Sequence, residues 1–140
     1  MSVNIEIDYL GDLHCRALHG PSQQTLTTDA PVDNGGKGEA FSPTDLVASG
    51  LGACLATIMA LVARRNSYDL AGTRLQVTKE MTADPVRRIG ALRVSVHVRS
   101  TLSLPPAERL KLEAAAMTCP VKQSLHPDVK VSVEFSYGQP

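Results

Sequence analysis

From Leu46 to Ala63, eighteen consecutive residues carry no charge, and no other stretch constrains the fold so strongly. That length sits at the threshold for crossing a bilayer. The stretch is rich in small residues, among them Ala48, Ser49, Gly50, Gly52, Ala53 and Ala56, so its overall hydrophobicity is modest. Half-polar, strand-like segments flank it on both sides. A helix apolar on every face in a water-soluble protein is a buried central helix, and small residues let other backbones approach it closely. We therefore expect a soluble protein built around one buried helix, with no membrane association. Ser42 is placed to be the N-cap, Pro43 to take the first helical position and Asp45 to close a capping box. Arg64-Arg65-Asn66 supply favourable C-terminal charge and a stop.

The segments around this helix read as strands and shorter helices. Val3, Ile5 and Ile7 alternate with polar residues, Gly11-Asp12 marks a turn, His14 to Leu18 is a second strand, and a third runs from about Gln24 to Thr28. Asp33-Asn34-Gly35-Gly36-Lys37-Gly38 reads as a mobile loop, since it lacks the spacing of a phosphate-binding loop. Beyond the central helix come strands at Leu75 to Thr82 and Ile89 to Arg99, with a turn at Asp84-Pro85. A second helix opens at Pro105-Pro106 and points Leu110, Leu112, Ala115 and Met117 at the core. A short third helix starts at Cys119-Pro120 and runs through Leu125. The last strand alternates Val129, Val131, Val133 and Phe135 with polar residues. The order is βββ-α-ββ-αα-β, an α+β fold of mostly hairpin-linked strands packed on helices, in a single domain spanning residues 1–140.

Composition narrows the partners. Fourteen basic residues balance fourteen acidic ones and there is no Trp, so the chain lacks both the basic footprint and the stacking platform of a nucleic-acid binder. The N-terminal residues have neither a basic nor an apolar signal-peptide region, which points to the cytosol, where thiols stay reduced. The three cysteines, Cys15, Cys54 and Cys119, include no C-x-x-C pair and suggest redox or nucleophilic chemistry rather than a disulfide scaffold.

Each cysteine has a bland and a chemical reading. Cys54 lies mid-helix with no cation within a turn, where a cysteine often serves as a small buried hydrophobe. Cys119 precedes Pro120 at a helix start, where free N–H groups and the macrodipole favour a thiolate, with Lys122 and His126 close in sequence. Cys15 reads as a bystander between His14 and Arg16. His14, Cys15, Cys119 and His126 are all capable ligands, but their spacing matches no zinc pattern. We expect no metal.

Two stretches together resemble the OsmC/Ohr family, the osmotically inducible and organic hydroperoxide resistance proteins. Phe41-Ser42-Pro43-Thr44-Asp45-Leu46 leading through small residues to Gly52-Ala53-Cys54 is similar to the family's central-helix signature. Sixty-five residues later, Cys119-Pro120-Val121-Lys122-Gln123-Ser124-Leu125 resembles its second motif. The resemblance implies an intertwined homodimer, with two central helices wrapped by sheets and active sites at the interface. It implies that Cys54 attacks an organic hydroperoxide and becomes a sulfenic acid, and that Cys119 resolves it as a disulfide. A dithiol reductant, lipoyl-type in the family's hydroperoxide reductases, restores both thiols, with no cofactor. The family's glutamate falls on Thr44, with Asp45 beside it, so Asp45 is either a site carboxylate or simply a helix cap. Its arginine has no clear counterpart, since Lys37 is the only cation between Ser22 and Phe41, and Arg16 is the nearest replacement. Two other readings stand beside the peroxidase: a non-catalytic binder of small hydrophobic ligands, and a thiol redox sensor or transferase on the same fold.

Overall fold

The computed structural model describes residues 1–99 and 103–138. The chain divides into two compact units, residues 1–47 and 48–140.

In the first unit, β1 (Ile5–Gly11), β2 (His14–His19) and β3 (Thr25–Asp29) form an antiparallel sheet in that order. Asp12 and Leu13 turn the β1–β2 hairpin with positive φ values of 52° and 62°. The strand starts at Ile5 rather than Val3 and runs on to Gly11. The segment after β3 departs from the expected mobile loop. A 3-10 turn at Val32–Asn34 opens it, and the Asp29 carboxylate then accepts the backbone N–H groups of Lys37 (3.1 Å) and Glu39 (3.0 Å). Gly36 is required there, because a Cβ would sit 1.7 Å from the Ala30 carbonyl oxygen. A buried carboxylate thus organises what composition alone describes as flexible.

Helix α1 spans Pro43–Arg65. Its start is the capping box expected from the sequence: the Asp45 N–H donates to Ser42 Oγ at 3.1 Å, and the Ser42 N–H donates to the Asp45 carboxylate at 2.9 Å. This reciprocal pair satisfies two N–H groups that an uncapped helix would leave unpaired, and such a cap stabilises a helix by about 1 kcal/mol.

In the second unit, β4 (Arg74–Thr82), β5 (Arg88–Val98) and β6 (Lys130–Tyr137) form a sheet with β5 in the middle. Strands β4 and β5 are antiparallel, as expected, but β5 and β6 run parallel. A parallel pair cannot be joined by a tight turn. The connection carries α2 (Pro106–Ala116) and α3 (Pro120–Ser124), so the layout is less hairpin-linked than the element order suggests. Leu92, Val94, Val96 and Val98 alternate along β5 into the core, where they meet Leu51, Leu55, Met59 and Ala63 of α1. Spacing of four residues keeps the helix residues on one face. On α2 the buried residues are Leu112 and Ala116, whereas Leu110 is exposed. Two residues of helix turn about 200°, so Leu110 and Leu112 cannot share a face.

The all-round burial expected for α1 is not found within one chain. Val47 and Leu61 remain exposed on it. It is long and apolar enough to cross a membrane, yet only 33% of its most apolar window is buried.

At Gly52, α1 lies close against the sheet, since a Cβ there would lie 2.9 Å from Val77 Cγ2 on β4. A β-branched neighbour has little freedom to yield. Gly52→Val is expected to destabilise the fold by about 1–3 kcal/mol through overpacking, measured by urea unfolding.

Candidate active site

Cys54 sits at the centre of α1, half-buried, packed against the core cluster. Cys119 lies at the N-cap of α3 and is fully buried, as part of that core. Sixty-five residues apart in sequence, the two reduced thiols are brought close enough to interact electrostatically. Cys15 is on β2 in the other unit, at a register position opposite Tyr9 on one side and Thr28 on the other.

The electrostatics of Cys119 differ from what a helix start alone suggests. Its Sγ does accept the Lys122 backbone N–H at 3.3 Å, and the Val121 N–H also favours the anion. Burial outweighs both and pushes the Cys119 thiol above its ordinary range, and the nearby Cys54 pushes it further the same way. Lys122 serves it through the backbone, and His126 is turned to Asp128, whose N–H donates to His126 Nδ1 at 3.1 Å.

The other sequence candidates take different places. The Asp45 carboxylate is engaged in the capping box, nine residues before Cys54, or about 13 Å of helix rise. Arg16 pairs with Asp8 at 2.9 Å and Lys37 with Asp12 at 2.9 Å. His14 acquires partners that spacing did not reveal: Glu39 Oε2 at 3.2 Å and Asp29 Oδ2 at 3.6 Å. By sequence, the potential ligands considered with His14 are Cys15, Cys119 and His126. The missed signal was strand pairing, which sets His14 directly opposite Asp29.

Residues 36–134 match the family model described as OsmC-like protein. The chain belongs to the OsmC-like family. A candidate osmotic stress induced and detoxification response protein from Psychrobacter arcticus is 42% identical, with a TM-score of 0.87 and 94% of each chain covered. Two more distant structures share the OsmC-like fold. The organic hydroperoxide resistance protein OsmC of Legionella pneumophila is 23% identical (TM-score 0.73, 97% of each chain covered). The organic hydroperoxide resistance protein OhrB of Bacillus subtilis is 17% identical (TM-score 0.68, covering 97% of this chain and 98% of that one). No curated protein matches the chain by sequence. The α+β fold with its two sheets is thus that of OsmC-like structures.

The protonated Cys119 has a consequence for stability. Its folded pKa lies above the ordinary value of 9.0, so the folded chain holds this proton at pH values where the unfolded chain has lost it. That contribution is complete below the ordinary thiol range and is lost as pH rises through the raised folded value. Urea unfolding at about pH 7 and about pH 10 should therefore show wild type losing more stability between the two than Cys119→Ala does.

Proposed function

We propose that this OsmC-like protein is a thiol-dependent peroxidase that reduces organic hydroperoxides and serves in defence against oxidative stress. The observation that carries this reading is the nearness of Cys54 on α1 to Cys119 in the core it packs against, where burial favours the thiol form of Cys119. Cys54 would attack and Cys119 would wait as acid and resolver.

In the first step the Cys54 thiolate attacks the outer oxygen of R–O–OH. The O–O bond breaks, Cys54 becomes a sulfenic acid, and the leaving alkoxide takes a proton to give the alcohol. Cys119, adjacent and protonated, is the nearest donor for that proton. Losing it makes Cys119 the thiolate needed next: it attacks the Cys54 sulfur, the S–S bond forms, and the sulfenic oxygen departs as water with a further proton. A dithiol, lipoyl-type by family likeness, then reduces the disulfide by exchange. No metal or cofactor enters these steps.

We further propose that the working form is a cytoplasmic homodimer in which a second copy covers the exposed apolar face of α1. Exposed Val47 and Leu61 on α1, and Ile5, Ile7 and Tyr9 alternating along β1, favour this. An apolar helix that keeps Val47 and Leu61 exposed in water is suited to a partner surface. The Asp45 carboxylate, with its cap role filled, would reach a thiol pair in such an assembly only from across the interface. The 1–140 chain then acts as one OsmC-like domain per subunit.

Stopped-flow turnover of cumene hydroperoxide with a dithiol reductant checks the chemistry. Cys54→Ser should reduce the rate at least about a hundredfold, of the order removal of a covalent nucleophile costs. Cys119→Ser should still consume one equivalent of peroxide and accumulate a sulfenic acid trapped by dimedone. Absence of any peroxide consumption by reduced wild type would end the peroxidase reading and favour ligand binding. Light scattering at micromolar concentration should give twice the 14.9 kDa chain mass. A monomer there would rule out the covered helix.

A further inference from the structure

Three segments of the first unit converge on one point away from the thiols. His14 comes from β2, Asp29 from the end of β3, and Glu39 from the segment that leads towards α1. Each offers one potential ligand atom, and these atoms all lie within 4.8 Å of one another.

We infer that His14, Asp29 and Glu39 bind a divalent transition-metal ion of the Zn2+ or Co2+ class. The distances suit such an ion. Zinc bonds to imidazole nitrogen and carboxylate oxygen are both about 2.1 Å, which puts two ligands of one tetrahedral ion roughly 3.4 Å apart. His14 Nε2 lies 3.2 Å from Glu39 Oε2 and 3.6 Å from Asp29 Oδ2.

The histidine is prepared for the role. Its Nδ1 is 2.7 Å from the Asp12 carbonyl oxygen, a contact that requires a proton on Nδ1. Nε2 faces the two carboxylates, so an ion bound there would take the place of the proton that otherwise bridges Nε2 to Glu39. A backbone carbonyl holding the far ring nitrogen is the usual support of a metal-bound imidazole. His14 is shielded, with 18% of its side chain exposed, and Asp29 is wholly buried.

A second observation is independent of the cluster's shape. Asp29 Oδ1 is buried and makes no hydrogen bond, although Oδ2 of the same group accepts two backbone N–H groups. A buried carboxylate oxygen with no partner is uncommon in a folded chain, and a cation bound by this carboxylate would supply the positive charge it lacks. Lys37 cannot fill that place, because its ammonium is committed to Asp12 at 2.9 Å. Nitrogen and carboxylate oxygen together favour a borderline ion over Mg2+ or Ca2+. Three protein ligands leave a position for water on the side where Glu39 is exposed. The bound ion would pin the segment carrying Glu39 to β2 and β3.

Titration of the reduced full-length protein with Co2+, followed by calorimetry and absorption, tests this without any activity measurement. One ion should bind per chain without an intense thiolate-to-metal band, and Glu39→Gln and His14→Gln should each weaken binding at least about tenfold. Glu39 is exposed, so Glu39→Gln should leave the far-ultraviolet circular dichroism unchanged and keep the comparison clean. Absence of binding would overturn the site and leave a proton on His14 Nε2 as the bridge between the carboxylates. A strong thiolate band, or equal affinity in both variants, would also overturn it by moving the metal to the cysteines or the general surface.

Discussion

The site depends on how closely α1 can approach the sheet of the second unit. Gly52 permits Val77 to pack against the helix, and the Leu51-Leu55-Met59 stripe meets the alternating valines of β5 in one core. Cys54 is carried on that helix, two residues past Gly52, and Cys119 is part of the core it packs against. Nothing in either cysteine's local sequence creates the pair. It is a product of packing, and the same burial that holds Cys119 in place also withholds its charge. A thiol kept neutral by desolvation is a poor nucleophile.

Much of this could be read directly from residue types. The Ser42-Pro43-x-Asp45 start of α1 was legible because capping is local, involving two side chains and two backbone groups within four residues. The alternation of β5 was legible for the same reason. The parallel partner of β5 was not, because alternation says which face a strand buries and nothing about the direction of its neighbour. Leu110 is exposed where its hydrophobicity suggests the core, because the helical angle turns it away from the face that buries Leu112.

The sites divide along the same line. The cysteine pair was recognised through two motifs taken together, while composition alone left Cys54 a plausible space-filler. The reading of Cys119 as a thiolate favoured by its helix start gave way to desolvation, which sequence cannot price. His14, Asp29 and Glu39 escaped notice because their spacings of 15 and 10 residues correspond to no ligand motif. Strand register and two backbone hydrogen bonds to Asp29 bring them together, and both arise only from tertiary structure.

The parallel pairing of β5 with β6 bears on when the thiols become a pair. Ala91 lies beside Lys130 and Val96 beside Phe135, so every rung of that ladder waits for a strand synthesised about forty residues later. Such non-local closure is entropically slow to nucleate. On a ribosome, α1 and the β4–β5 hairpin emerge first, with Cys54 exposed on an incompletely covered helix. Cys119 follows, and the strand that completes the sheet comes after both. During synthesis each thiol thus stands alone, and the two share one core only once the sheet has closed.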